Sequence, residues 1–199
     1  MKKTIFAAVL GLAACAATSY GQGYVVFTSY GADAPNGALT TLADGITPIG
    51  VGFTADLYYF LGTVSDPVTI GTASTLPTGL TDLGVSVAYD NSGSATGSQG
   101  LGFFDGSTVT IPGYVSGPVT FEVVAFNGSS YANSTIRGRS GAFTMTSIAS
   151  SLQVPTPYFG DNGTPMPNFV VTSVPEPTTL ALAGLGGLAS LVAIRRKKV

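Results

Sequence analysis

The sequence predicts an all-β protein: a single antiparallel β-sandwich, jelly-roll or Ig-like, flanked by an N-terminal signal peptide and a C-terminal transmembrane helix. Three observations predict it. Between two apolar ends the chain is rich in Gly, Thr, Ser, Val, Phe and Tyr and almost free of Lys, and β-branched and aromatic residues suit a pleated, half-buried surface. Short apolar–polar alternations recur between turn dipeptides, the pattern of strands with one face in a core. No helical periodicity longer than a turn or two occurs before residue 178. The 199 residues divide into a signal peptide over 1–21, a β domain over 22–172 and a C-terminal segment over 173–199. A domain of this size buries well over half of its unfolded surface, enough for an independent core.

Met1-Lys2-Lys3 supplies a positive n-region, residues 5–17 an apolar h-region, and small residues follow. That order reads as a secretory signal peptide, and the run is too short to span a bilayer comfortably. Cleavage after Gly21 puts Ser19 and Gly21 at the −3 and −1 positions and leaves Gln22 as the new N-terminus; cleavage after Ala17 is the second choice. Leu12-Ala13-Ala14-Cys15 also resembles a lipobox, in which Cys15 is acylated. The plainer reading discards Cys15 with the signal.

Strand-like runs lie at 24–30, 52–61, 68–73, 84–89, 108–111, 119–126 and 141–146. In the second, Phe53, Ala55, Leu57 and Tyr59 share a face. In the sixth, Phe121, Val123 and Ala125 share one, with Glu122 turned the other way, toward solvent. Asp105-Gly106, Pro112-Gly113 and Asn127-Gly128 carry turn chemistry. Residues 91–100 read as a flexible Gly/Ser loop and 155–168 as a Pro-rich connection. No fixed-period repeat is present.

Six of the eight basic residues sit at the chain ends. The middle keeps Arg137 and Arg139 against nine acidic residues, a net of about −7, which argues against nucleic acid as a partner. With no His, and Cys15 as the single Cys, the domain can build neither a disulfide framework nor a Cys/His metal site. Ser-His-Asp and Cys-His catalysis are excluded for the same reason, and no phosphate-binding loop or dinucleotide fingerprint occurs. The expectation is no catalytic residue, no metal and no cofactor. Two rival readings stand beside it. Glu122, the only Glu of the domain, would be the centre of a carboxylate-dependent hydrolase. Tyr24, Tyr30, Tyr58, Tyr59, Tyr89, Tyr114, Tyr131 and Tyr158, if exposed together, would stack on sugar rings as a carbohydrate-binding module. The aspartates mostly adjoin Gly, Pro or Asn and read as turn residues, and Asp90-Asn91-Ser92-Gly93 lacks calcium-loop spacing.

Three parts follow in order at the C-terminus. Val174, Pro175, Glu176 and Pro177 form a rigid, extended stretch. Thr178 begins a run of 17 uncharged residues to Ile194, about 25 Å as a helix and at the short limit for a span. Arg195, Arg196, Lys197 and Lys198 close the chain and keep that end cytoplasmic. From the residues alone this is a tail anchor behind a proline linker. The segment 174–198 resembles the PEP-CTERM sorting signal of Gram-negative bacteria, which some catalogues call an ice-binding protein C-terminal domain without implying that activity. The chain as a whole is similar to small PEP-CTERM proteins of Verrucomicrobia-like bacteria. The resemblance implies that Pro175, Glu176 and Pro177 are the recognition box and Arg195 to Lys198 the stop. It further implies secretion machinery and an inner-membrane exosortase as partners, polysaccharide in the surroundings, and a domain that faces the periplasm before reaching the surface. Leu76-Pro77-Thr78-Gly79 brushes against a sortase motif but lies far from the end.

Overall fold

A computed structural model describes residues 21–30, 37–64, 76–90, 100–151 and 156–174. The signal run, the strand expected at 68–73, most of the 91–100 loop, the apolar C-terminal run and the basic stop lie outside the described residues. The chain forms β1 (Gln22–Thr28), β2 (Thr40–Leu42), β3 (Thr54–Leu61), β4 (Thr81–Ala88) and β5 (Asp105–Pro112). It continues with β6 (Val119–Phe126), β7 (Ile136–Arg139), β8 (Phe143–Met145) and β9 (Phe169–Ser173). Among the described residues there is no helix.

Two sheets enclose one core. β1 and β5 pair antiparallel as a small sheet, and the larger sheet runs β2-β9-β7-β6-β3-β4, with β8 also on β6. Every ladder between named strands is antiparallel except β2–β9, which is parallel and makes the larger sheet mixed. Val25, Phe27, Val109 and Ile111 of the small sheet join Ala55, Leu57, Phe121, Val123, Phe143 and Val171 of the large one in a single apolar cluster. Phe159 stands between the sheets, its ring 6.1 Å from Phe27 and 5.4 Å from Phe121. The expected faces of 52–61 and 119–126 are therefore the core faces, with Phe53 and Tyr59 packed at the margin.

β6 is the centre of the large sheet. β3 pairs along its whole length on one edge, while β7 and β8 divide the other. Ser140 bridges the break between them: its N–H donates to Val123 O at 2.8 Å, and its Oγ accepts from Val123 N at 3.0 Å. Backbone groups buried in a sheet must find partners, and one serine supplies both here. The outer face of β6 is also covered, because Tyr58, Val124, Phe126 and Tyr131 form a second, smaller apolar cluster with Leu80 at its edge.

That cover corrects the expectation for Glu122. It does point away from the main core, but its exposure is 0 %. Burial is tolerable because Arg139 reaches it. The turn expectations hold at Pro112-Gly113, where Gly113 takes φ +78°, and at Asn127-Gly128 after β6. Asp105-Gly106 is instead the irregular start of β5, where the β1 register shifts between Val26 and Thr28. Strands β2, β7 and β9 had no counterpart among the runs expected from sequence.

Candidate functional site

β9 runs one residue past the expected domain limit of 172, to Ser173, which pairs with Ile136 of β7. The next residue, Val174, still donates its N–H to Thr135 O at 2.8 Å. The 127–135 loop that offers this carbonyl is well tied. Asn127 Oδ1 accepts Ile136 N–H at 3.0 Å, and Ser134 Oγ donates to Ser130 O at 2.7 Å. The Arg137 guanidinium donates to Tyr131 O and Ala132 O and stacks 5.1 Å over the Tyr131 ring, a cation–π contact that holds the loop against the sheet. Sheet structure thus persists up to Val174, with no flexible stretch before the first proline of the box.

Residues 173–197 match the PEP-CTERM protein-sorting motif. The chain carries a PEP-CTERM sorting signal. Such a signal implies export, membrane-anchored sorting and processing by an exosortase. No curated protein and no solved structure matches the chain. The PEP-CTERM match begins inside β9, so the signal and the fold overlap at Ser173 and Val174. Pro175, Glu176, Pro177, Arg195, Arg196, Lys197 and Lys198 lie outside the described residues. At the other terminus Gln22 opens β1 opposite Pro112, and Gly21 packs so close to Tyr114 that a Cβ there would stand 2.2 Å from its carbonyl oxygen.

The second cluster with chemical potential lies on the outer face of the large sheet. Asp56 and Tyr58 of β3 stand opposite Ser86 and Asp82 of β4, and Tyr58 is also opposite Glu122. Tyr58 OH lies 3.4 Å from Asp82 Oδ2, at the long limit for a hydrogen bond. Arg139 Nη1 donates to Glu122 Oε1 at 2.8 Å. Burial, reinforced by the negative charge of Asp82, holds the Asp56 carboxyl above the usual aspartate range, against the opposing hydrogen bond from Ser86. Burial likewise pushes Tyr58 and Tyr131 up to about 12. These groups form an electrostatic ladder across β4, β3, β6 and β7. Glu122 is committed to an arginine, the arrangement that lets a buried carboxylate stay charged.

Among the described residues Tyr58, Tyr89, Tyr114 and Tyr131 are buried, Tyr24 and Tyr59 are half-buried, and Tyr30 and Tyr158 are exposed. The hydroxyls of Tyr89 and Tyr114 are used internally, on Thr40 Oγ1 at 2.9 Å and on Ile148 N–H at 3.1 Å. A shallow pocket of about 210 Å³ beside β2 and β9 is lined by Leu39, Thr41, Gly45, Asn168, Phe169 and Val170 and contains no ionisable side chain. Sequence reasoning missed Arg139 as the partner of Glu122. The signal was there: Arg137 and Arg139 are the only cations of the domain, and their i, i+2 spacing puts both on one strand face.

Proposed function

We propose that the chain is an exported, non-enzymatic protein of the cell surface or extracellular matrix. It is secreted through its N-terminal signal and held at the inner membrane by the 178–194 helix, with the β domain in the periplasm. An exosortase cuts it near Pro175-Glu176-Pro177 and passes the domain outward, into surroundings that include exopolysaccharide. The PEP-CTERM match at 173–197, set flush against the last strand, carries this reading. The non-catalytic assignment draws support from the lack of His and of a Cys outside the signal run and from the use of Glu122 as a buried ion-pair partner.

Cell fractionation with mass mapping of both termini tests the proposal, comparing wild-type cells with cells lacking the exosortase. The expected result is a shortened C-terminus only where the exosortase is present. An intact C-terminus in both strains overturns it.

A further inference from the structure

The exit of β9 fixes how far the folded domain can stand from the membrane. Val174 is still hydrogen-bonded to Thr135, and only Pro175, Glu176 and Pro177 separate it from the apolar run that starts at Thr178. A proline-rich stretch advances about 3.1 Å per residue, so the stem reaches on the order of 12 Å. The polar layer on each side of a bilayer is about 5–8 Å thick. The run has no length in reserve: its 17 residues make about 25 Å of helix against a hydrocarbon core of about 30 Å. Drawing residues out of the bilayer to lengthen the stem would deepen that mismatch.

The surface around the exit can be read from the ladders. β2 runs parallel to β9 with Leu42 beside Val171, so the turn over 43–47 lies at the exit end. The 127–135 loop lies there too, through Thr135. Across these two segments Asp44 is the only charged residue, and its exposed carboxylate accepts hydrogen bonds from the Ile46 and Thr47 amides of its own turn at 2.9 Å. Ile46 projects at 81 % exposure. The face carries one exposed carboxylate, with the Arg137 guanidinium laid along the 127–135 loop, is otherwise hydroxyl- and amide-rich, and is tipped by one large apolar side chain. Such a surface suits the headgroup layer.

The geometry points to this end of the sandwich, the 43–47 turn with the 127–135 loop, as a surface held against lipid headgroups while the sorting segment is attached. The inference rests on the reading of 178–194 as a membrane span. The domain then does not float on a tether; its exit face meets the bilayer.

The test uses the chain with its signal removed, residues 22–199, which has no native cysteine, in phosphatidylethanolamine/phosphatidylglycerol vesicles that contain a headgroup spin label. Ile46→Cys carries a fluorophore at the exit end. Val115→Cys, 73 % exposed, carries it in the loop before β6, at the opposite end of the sheet because β6 and β9 run in the same direction. Both sites are open, so neither substitution threatens the fold. The expected result is several-fold stronger quenching at position 46 than at 115. A flexible Gly/Ser insert of about ten residues between Val174 and Pro175, with a reach of roughly 17 Å, should abolish the difference. Equal quenching at both positions overturns the proposal, and a difference that survives the insert overturns the stem as its cause. Failure of the chain to float with the vesicles refutes the span itself and the proposal with it, whereas failed exosortase processing alone would refute only the sorting reading.

Discussion

At the residue scale, Glu122 and Arg139 set the chemistry of the outer sheet face. Their 2.8 Å contact is almost fully buried, with 0 % and 4 % of the side chains exposed, so each charge depends on the other for what water no longer supplies. Breaking such a pair from one side costs about 3–5 kcal/mol, whereas an apolar replacement of both partners is often neutral or stabilising. Glu122→Gln should therefore lower the urea midpoint sharply, and the double variant Glu122→Leu/Arg139→Met should recover most of the loss. A Glu122→Gln protein as stable as wild type would refute this scaffold role. Asp56 gives the opposite sign. Its folded-state pKa is raised, burial being the largest cause, so the folded state holds the proton more tightly than the unfolded one. The resulting stabilisation is fully present below the ordinary aspartate pKa and is lost as pH rises through the raised value. At neutral pH the ionised carboxylate is a cost. Asp56→Asn should raise the melting temperature at neutral pH by about 1–3 °C, a size limited by solvent screening at a half-buried site. The gain should vanish below the aspartate range; an equal gain at both pH values would show that the titration is not its source.

At the scale of elements, β9 decides whether the large sheet is complete. It lies between β2 and β7, and Phe169 and Val171 are buried in the core. Gly138 marks how closely β7 and β9 approach: a Cβ there would stand 2.2 Å from Val170 O, a backbone atom that cannot step aside. Gly138→Ala should cost about 1–3 kcal/mol by overpacking, read as a lowered denaturant midpoint. Ending the chain after 168 should remove cooperative unfolding altogether, while a chain over 22–174 should keep it; a cooperative 22–168 fragment would show β9 to be dispensable. β9 also shows why part of the fold was illegible. β3 and β6 announce themselves through alternation along eight residues each, but β9 has five residues, β2 three, and β7 reads Ile-Arg-Gly-Arg. Short strands take their definition from neighbours far away in sequence, as β2 does from β9. For Glu122 the alternation correctly gave the face and could not give its cover. That cover combines Tyr58 of β3, opposite Glu122, with Tyr131 in the 127–135 loop, held by Arg137. The sorting box was legible because its parts are consecutive. Its junction with the sheet was not, since that rests on one hydrogen bond from Val174 to Thr135, 39 positions earlier in the chain.

At the scale of the whole molecule, the two ends of the domain lie at opposite poles. Gln22 pairs with Pro112, just before the loop that leads into β6, whereas β9 leaves where β6 ends. The eight residues of β6 separate these poles by about 26 Å at ~3.3 Å per residue. In the proposed membrane-held state with the signal peptide removed, the β9 pole would be the one tied to the membrane and the N-terminal pole would stand away from it. A retained signal would change that, because from Ala17 to Gln22 the chain extends at most about 17 Å. That is too short to reach the distal pole of an upright domain, so the sandwich would have to lie along the bilayer. Ser19→Leu, which puts a large residue at the −3 position, should block cleavage. It avoids Gly21, where any side chain would collide with Tyr114 O. The fluorophore at Val115→Cys should then become quenched by headgroup spin label to about the level seen at Ile46→Cys, in an otherwise folded chain that also carries Cys15→Ala. If the Val115 label stays unquenched while the signal is demonstrably retained, the two junctions are not at opposite poles of a membrane-bound domain, and the upright orientation drawn from β9 and its short stem would have to be abandoned.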